Sequence, residues 1–342
     1  MTDIKHLIGD CKETLKTLEP ESVNCIVTSP PYFAQRSYLK SDDPKKVLEI
    51  GNEKTPEEYI KDLVTVFDEC KRVLKQDGTM YVIIGDTYNT GKFSSIVKNK
   101  DLLGIPFMLA FALRDNGWYW RDTIIWAKGI SGKIRMGVCM PESVVDRTNK
   151  SHEYILMFSK SDKYFYDSDA IKEDGSESSK TRANSITHLD KQKDGSEQFS
   201  IKPENVKKYL SRLAKKIEDP NFEYKVTRRS VWLCMPSRAS NVKHSAVYPR
   251  ELIEPIILSS CPQGGTVLDP FGGSGTTVVV AEYLGRNAIN CELNDNGKEL
   301  YFERKAEIER QMKNNNQIKE KDVVAVVKQK LEVKTAKGRT LW

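Results

Sequence analysis

The sequence is poor in the features that mark secreted, metal-binding and membrane proteins. Its seven cysteines are scattered and form no C-x-x-C pair, which argues against a disulfide scaffold and against a zinc site. No apolar run approaches the length that spans a bilayer, and the stretch MTDIKHLIGD has no apolar signal-peptide core. We therefore expect a cytoplasmic protein that has reduced thiols, binds no metal and does not contact a membrane.

Two common glycine-rich nucleotide motifs are also missing. A P-loop requires Gly-Lys-Ser or Gly-Lys-Thr, but no lysine lies between Phe271 and Arg286. The G-x-G-x-x-G motif of dinucleotide sites fails because, counted from Gly273, Val278 stands at the position of the third glycine. Nucleoside triphosphate hydrolysis and dinucleotide binding are therefore not expected.

Neither charge sign dominates the composition. The formal net charge is +6, with 30% charged and 39% hydrophobic residues, which is ordinary for a globular protein. This charge permits a polyanionic partner without requiring one. Strand-like and helix-like stretches alternate along most of the 342 residues, and such alternation predicts an α/β fold in which a mainly parallel sheet has helices on both faces.

The strongest helix signal covers residues 56–78. Apolar residues recur there at helical spacing, and Gly78 is typical of the residue that ends a helix. The apolar positions are Tyr59, Ile60, Leu63, Val66, Phe67, Cys70, Val73 and Leu74. Further along the chain, we assign Trp118, Trp120 and Trp126 to the core.

Changes in composition and in apolar patterns divide the chain into four parts. Residues 1–166 and 231–312 carry the alternating strands and helices and are expected to form two halves of one domain. Residues 167–230 are polar, and the part from 172 to 230 contains 14 Lys or Arg against 10 Asp or Glu, which suits contacts with a polyanion. Residues 313–342 form a basic tail, which either is simply solvated or also binds a polyanion.

The stretch VTSPPYFAQ (27–35) contains an unusual turn sequence directly after a predicted strand. The run VNCIV before it has the pattern of a buried strand. Pro30 and Pro31 fix two φ angles and remove two backbone donors, so neither a helix nor a sheet ladder continues here. The stretch therefore predicts a rigid turn that has the hydroxyl of Ser29 just before it and the ring of Tyr32 just after it.

A second stretch, VLDPFGGSGTTVVVAEYLGRNAINCEL (267–293), combines glycines with an acidic strand end. Gly272, Gly273 and Gly275 allow a ligand to approach backbone N–H groups at the start of a helix. Glu292, 17 positions after Gly275, ends the next strand, where a carboxylate can bind ribose hydroxyls. Taken alone, this stretch is also compatible with a structural turn and a solvated Glu292.

Together and in this order, TSPPY and DPFGGSGTT resemble the motifs of β-class amino-methylating DNA methyltransferases. In that family the catalytic S/D/N-P-P-Y motif comes first, a target-recognition region follows, and the loop that binds S-adenosyl-L-methionine (SAM) comes last. Six more stretches are similar to family segments: LIGDCKETL (7–15), EIGNEKTPEEYI (49–60), DGTMYVIIGD (77–86), RDTIIWAK (121–128), RTNKSHEYILMFSK (147–160) and HSAVYPRELIEPII (244–257). The resemblance implies a Rossmann-like methyltransferase fold, with residues 167–230 as the target-recognition insert.

The resemblance also implies roles for individual residues. Ser29 and the carbonyl of Pro30 would accept hydrogen bonds from the exocyclic amine of a flipped base, Pro31 would keep the turn rigid, and Tyr32 would stack on the base. The residues implied to bind the cofactor are Asp10, Asp269, Phe271, Gly272, Gly273, Ser274, Gly275 and Glu292, with His244 as either a cofactor neighbour or a structural cap.

Three of these acidic residues have more specific expected positions. Glu292 is expected at the ribose of SAM and Asp10 at the edge of its adenine. Asp269 is expected either to orient the glycine-rich loop or to meet the methionine ammonium group.

The implied activity is transfer of the methyl group of SAM to the exocyclic N4 amine of a flipped cytosine in double-stranded DNA. In the family, serine before Pro-Pro-Tyr goes mostly with cytosine N4 and aspartate mostly with adenine N6, so adenine N6 is the alternative. No Pro-Cys dipeptide occurs, so methylation at carbon 5 has no candidate nucleophile. The competing functions are a catalytically inactive nucleic-acid-binding regulator and methyl transfer to RNA or to a protein glutamine.

The biological setting that the resemblance implies is a restriction-modification, phage or epigenetic system. A cognate restriction endonuclease would act separately, and the methyltransferase would be a monomer or a homodimer. The recognition sequence does not follow from any motif, because base readout depends on side-chain geometry.

Overall fold

The computed structural model describes residues 2–91, 97–133, 135–139, 141–175, 225–236 and 247–313. The helices with assigned bounds are α1 (Cys11–Thr14), α2 (Pro56–Val73), α3 (Ile105–Asp115), α4 (Arg250–Ser260) and α5 (Thr276–Tyr283). The strands are β1 (Ile4–Ile8), β2 (Val23–Thr28), β3 (Leu74–Ile84), β4 (Tyr119–Ala127), β5 (Gly129–Ile130), β6 (Met136–Gly137), β7 (His152–Ser159), β8 (Glu173–Asp174), β9 (Lys225–Val226), β10 (Val231–Leu233), β11 (Thr266–Asp269) and β12 (Asn287–Glu292). Residues 297–313 are also helical.

Eight of these strands form one sheet, in the order β1-β12-β11-β2-β3-β7-β4-β10. Strand β7 runs antiparallel to both of its neighbours, β3 and β4, and the other neighbouring pairs are parallel. This arrangement confirms the predicted α/β fold with a mainly parallel sheet.

Helices cover both faces of the sheet, as β3 shows. Met80, Val82 and Ile84 belong to the same core cluster as the buried residues of α2 and α3. Tyr81 and Ile83 belong to a second cluster, which contains the buried residues of α4 and α5. Because successive side chains of a strand point to opposite faces, a continuous apolar run is what a strand buried on both faces requires.

The helix predicted over residues 56–78 ends earlier, at Val73, and the prediction that Gly78 ends it is wrong. From Leu74 onward the chain is extended and belongs to β3. A Cβ atom at Gly78 would lie 2.6 Å from Leu74 Cδ1 and 2.9 Å from the carbonyl oxygen of Asn24. Glycine is therefore needed here for close packing within the sheet.

Residue contacts divide the chain into two compact units, Met1–Tyr166 with Ser230–Trp342, and Asp167–Arg229. In the second unit β8 pairs with β9. The segment ENVKKYLSRLAKKIED (204–219) and the tail from residue 314 lie outside the described residues, so the target-recognition and tail assignments stay predictions. No helix within the described part of the chain is long and apolar enough to cross a membrane.

The sheet brings both sequence motifs to one edge. Strands β2 and β11 are adjacent and parallel, with Leu268 opposite Ile26. The turn after β2 and the loop after β11 therefore lie side by side at the carboxyl ends of these strands. Since β7 is antiparallel, it contributes its first residues to the same edge, where Tyr154 lies opposite Ile84.

Candidate active site

A cavity of about 650 Å³ lies at this edge of the sheet, and both sequence motifs line it. The motif residues in its lining are Asp10, Ser29, Pro30, Pro31, Tyr32, Phe271, Gly272, Gly273, Ser274 and Glu292. Among the residues that the structure describes, Asp269 and Gly275 do not line the cavity. His244 lies outside the described residues, so its expected place beside the cofactor stays a prediction.

Two hydrogen bonds, one just before the Ser-Pro-Pro-Tyr turn and one within it, hold this turn in place. Before it, the hydroxyl of Thr28 donates to Asp269 Oδ1 at 2.6 Å, which joins the end of β2 to the end of β11. Within it, the carbonyl oxygen of Pro31 accepts from the hydroxyl of Tyr59 on α2 at 2.8 Å. These contacts and the two proline rings leave the Ser29 hydroxyl on a rigid support at the cavity wall.

Tyr32 is held at both ends of its side chain. Its hydroxyl donates to Glu153 Oε2 at 2.6 Å. Its ring passes Gly85 so closely that a Cβ atom there would lie 2.8 Å from Tyr32 Cε2. Burial, assisted by Glu153, raises the pKa of Tyr32 well above its ordinary value, while the nearby Ser29 acts in the opposite direction. The phenol is therefore neutral at physiological pH.

The cavity is also lined by residues that the sequence motifs did not single out as site residues, and Trp126, Lys128 and Glu153 are among them. Lys128 Nζ forms an ion pair with Glu153 Oε1 and lies 4.7 Å from the centre of the Trp126 ring. Trp126 is buried, as predicted, but it also forms part of the cavity wall. Lys128 directly follows β4 and Glu153 is the second residue of β7, and the antiparallel pairing of β4 with β7 brings these two ends together.

The glycine-rich loop lies tightly against the strand that follows it. The N–H of Gly272 donates to the carbonyl oxygen of Cys291 at 2.9 Å. A Cβ atom at position 272 would lie only 1.7 Å from Asn290 Oδ1, so no side chain fits there. The loop backbone therefore forms the floor of the cavity at this point, as a ligand that approaches backbone N–H groups requires.

Glu292 closes this part of the cavity. Its Oε2 accepts from the N–H of Gly273 and its Oε1 from the N–H of Asn294, both at 2.9 Å. Burial raises the pKa of its carboxyl group. Each carboxylate oxygen has a second lone pair, so Glu292 can accept further hydrogen bonds from a ligand in the cavity.

Asp269 supports the glycine-rich loop through hydrogen bonds. It is fully buried and accepts from the N–H of Phe271 at 3.1 Å and from the hydroxyl of Tyr248 at 3.0 Å, in addition to the bond from Thr28. Burial raises the pKa of this carboxyl group. Of its two expected roles, these contacts are those of a residue that orients the loop.

Asp10 follows β1 and begins α1. Its Oδ1 accepts from the N–H of Lys12 at 3.0 Å, so it caps this helix. Asp10 also lines the cavity and lies near the Glu292 end of β12, because Ile8 pairs with Glu292 in the sheet. Asp10 and Glu292 therefore lie at the same end of two adjacent strands.

Comparison with known proteins agrees with this geometry. The family model described as DNA methylase, of N6/N4 type, matches residues 23–303. Over 320 residues the chain is 36% identical to the Type II methyltransferase M.SmaI of Serratia marcescens, an alignment that spans 88% of this chain and 90% of that protein.

Two solved structures share the fold. The PvuII DNA methyltransferase (cytosine-N4-specific) matches with a TM-score of 0.57 at 18% identity, over 88% of this chain and 87% of that one. A DNA modification methylase of Thermus thermophilus complexed with SAM matches with a TM-score of 0.51 at 21% identity, over 89% and 95%. The family match and the identity to M.SmaI show that this chain belongs to the SAM-dependent DNA methylases.

Proposed function

We propose that this DNA methyltransferase methylates the exocyclic N4 amine of cytosine at a specific site in double-stranded DNA, as a Type II modification enzyme. The observation that carries the proposal is one cavity lined by both the Ser29 hydroxyl and the glycine-rich loop. A base amine and a cofactor can therefore be bound side by side, which is the arrangement that a direct methyl transfer requires.

The cavity residues fit SAM. The loop at Gly272 leaves no room for a side chain, so backbone groups face the ligand, and Phe271 offers an apolar ring beside them. We propose that Glu292 binds the ribose hydroxyls and Asp10 the adenine edge. When bound, SAM supplies an electrophilic methyl group.

The Ser-Pro-Pro-Tyr turn acts on the target amine. The lone pair of this amine is delocalised into the base, which makes the nitrogen a poor nucleophile. The Ser29 hydroxyl and the Pro30 carbonyl accept hydrogen bonds from its two N–H groups and so favour the pyramidal nitrogen of the transition state. The Tyr32 ring stacks on the flipped base, and stacking of this kind contributes about 1–3 kcal/mol, which offsets much of the few kcal/mol that unstacking costs.

Cytosine N4 is preferred to adenine N6 because of Ser29. A serine is neutral and shorter than an aspartate, and the sequence resemblance associates it with cytosine. The fully buried Asp269, next to the turn, is already occupied by Thr28, Tyr248 and Phe271, so it does not replace the missing carboxylate at the base.

The proposal is tested by expressing the chain in a bacterial host that lacks DNA methylation. Its DNA is digested to nucleosides for mass spectrometry and, in parallel, sequenced by a single-molecule method that reports the modified site. We expect N4-methylcytosine at one short sequence, and the comparison variant Ser29→Ala should leave a smaller fraction of these sites modified. N6-methyladenine alone would transfer the proposal to adenine, and methylation of RNA but not DNA would overturn it.

The partners that we propose are double-stranded DNA and, in the cell, a separately acting endonuclease of the same specificity. Residues 167–230 are the proposed target-recognition region on the strength of their basic, polar sequence. Binding of labelled duplex to the wild-type chain at increasing salt tests the DNA contact, because phosphate contacts make affinity fall with salt.

A further inference from the structure

A chain of polar contacts runs along the cavity wall, away from Ser29. Ser29 stands three positions before Tyr32 in the turn and acts to lower the pKa of its phenol, the Tyr32 hydroxyl donates to Glu153 Oε2 at 2.6 Å, and Lys128 pairs with the other oxygen of Glu153. All four residues line the cavity. The chain therefore links the proposed acceptor of the target amine to a carboxylate.

Burying such a carboxylate costs free energy unless it is paired and hydrogen-bonded. The Glu153 side chain is 15% exposed and that of Lys128 24%, so both charges are largely removed from water. A tyrosine does not need an ionised partner to be held in place, because a neutral acceptor would orient its hydroxyl as well. The carboxylate of Glu153 therefore indicates a role that depends on its negative charge.

A second group of a tyrosine, a glutamate and a lysine lies elsewhere in the molecule and serves for comparison. Glu282 accepts from the hydroxyl of Tyr301 at 2.7 Å and pairs with Lys305 at 2.7 Å. None of these three residues lines the cavity. The trio of Tyr32, Glu153 and Lys128 differs in its place on the cavity wall and in its connection to Ser29.

The proposed reaction creates a need for such a carboxylate. A primary amine that gains a methyl group has one proton too many, and a positively charged nitrogen must release that proton to leave a neutral product. We propose that Glu153 receives this proton through Tyr32 and Ser29. This inference rests on the proposed function, namely that an exocyclic base amine is the methyl acceptor.

The proton balance is simple. One N–H bond of the methylated amine breaks, its electron pair stays on nitrogen, and its proton goes to Ser29 Oγ. Ser29 passes its own hydroxyl proton to the Tyr32 oxygen, and Tyr32 passes its proton to Glu153 Oε2, which ends as a neutral carboxylic acid. Lys128 holds the second oxygen of Glu153, and the proton leaves to solvent after product release.

The main test compares Glu153→Gln with Glu282→Gln. The amide of glutamine still accepts a hydrogen bond from Tyr32 but cannot take up a proton in this way. We expect the single-turnover methylation rate of preformed enzyme–SAM–DNA complexes to fall at least ~100-fold in Glu153→Gln, the lower end of the typical range of general acid–base effects. Glu282→Gln should retain the wild-type rate, and SAM affinity by calorimetry should be unchanged in both variants.

Two further measurements separate proton transfer from positioning. Tyr32→Phe breaks the chain but keeps the ring, so its rate should fall by a similar factor, and the double variant Tyr32→Phe with Glu153→Gln should be no slower than either single variant. Formate added to Glu153→Ala should restore part of its lost rate, because a small carboxylate can fill the vacated space. Formate should not change the rate of the wild type.

The outcomes are distinguishable. If the wild type does not methylate DNA, the proposed function fails. If the wild type is active and Glu153→Gln retains its rate, the proton-acceptor role is overturned, and a neutral partner for Tyr32 is sufficient. Loss of SAM binding in Glu153→Gln, or independent effects in the double variant without rescue by formate, would also overturn it in favour of a structural role.

Discussion

At the scale of single residues, Glu292 shows how a carboxylate can serve both the loop and a ligand. It already accepts from two backbone N–H groups, so it is pre-oriented before a ribose arrives. Hydrogen bonds to a charged group contribute about 1.5–3 kcal/mol. We therefore expect Glu292→Ala to weaken SAM binding at least ~tenfold by calorimetry, while binding of duplex DNA stays close to that of the wild type.

Glu309→Ala is a suitable control for that variant, because this carboxylate accepts from Tyr283 outside the cavity. It should bind SAM as the wild type does. Unchanged SAM affinity in Glu292→Ala would remove Glu292 from the cofactor site.

A separate prediction concerns Ser29, because its hydroxyl is proposed to accept a hydrogen bond from the base amine and not to contact the cofactor. Ser29→Ala should lower the turnover number at least ~tenfold, because an acceptor that acts in the transition state is lost. SAM affinity should be unchanged. Ser22→Ala, which removes a hydroxyl that donates to the Glu19 carbonyl and does not line the cavity, should have no effect. A fully active Ser29→Ala would assign the acceptor role to the backbone alone.

At the scale of the elements, apolar patterns predicted most strands and helices, but not where α2 ends. Helical spacing continues through Leu74, yet the chain turns into β3 there, because Leu74 is needed opposite Val23 in the sheet. A glycine that follows an apolar run, as Gly78 does, is typical both of a helix end and of a tight contact between strands. Periodicity within one segment cannot distinguish these cases, since the contact with Asn24 comes from another strand.

The close packing at Gly78 predicts a loss of stability. In Gly78→Ala the new methyl group would meet the Leu74 side chain and the Asn24 carbonyl at under 3 Å. Overpacking of this kind costs typically 1–3 kcal/mol, and we expect a reduced free energy of unfolding of about that size in urea titrations. In Gly129→Ala the nearest neighbour is 3.5 Å away, so that variant should unfold like the wild type, and equal stability of the two variants would contradict this interpretation.

The site was predictable to the extent that its residues lie in contiguous motifs. The turn at Ser29 and the loop at Gly272 both line the cavity, as expected from strands that end at the same edge. Lys128 and Glu153 escaped prediction because their meeting depends on the reversed direction of β7. Strand direction is fixed by pairing along the whole sheet, and a single strand carries no sign of it.

At the scale of the whole molecule, the buried carboxylates make stability depend on pH. Burial raises the pKa of Glu292 and of Asp269, whereas in the unfolded chain a Glu titrates near 4.3 and an Asp near 3.9. Above those values the unfolded chain has released protons that the folded chain still holds. The contribution of these groups to the free energy of unfolding therefore falls as the pH rises towards their folded pKa.

Glu292→Gln should reveal this effect in protein without SAM. We expect its Tm to exceed that of the wild type at pH 7 and to match it near pH 4, where the wild-type carboxyl group is protonated. Glu282→Gln is the opposite case: bonds from Lys305 and Tyr301 outweigh burial and lower the pKa of Glu282, so its Tm should fall at pH 7. An equal shift of Tm at both pH values would disprove the linkage for Glu292.

The bond between Thr28 and Asp269 joins residues 241 positions apart, and it has a consequence for the protein while it is being made. A ribosome adds about 5–20 residues per second, so roughly 10–50 s pass between the synthesis of β2 and that of its neighbour β11. During this interval the nascent chain has the Ser-Pro-Pro-Tyr sequence but neither the loop nor the strand that supports it. The catalytic pocket can therefore assemble only when translation is nearly complete, and we expect an interrupted product that ends before β11 to expose the edge of β2 and to lack modifying activity.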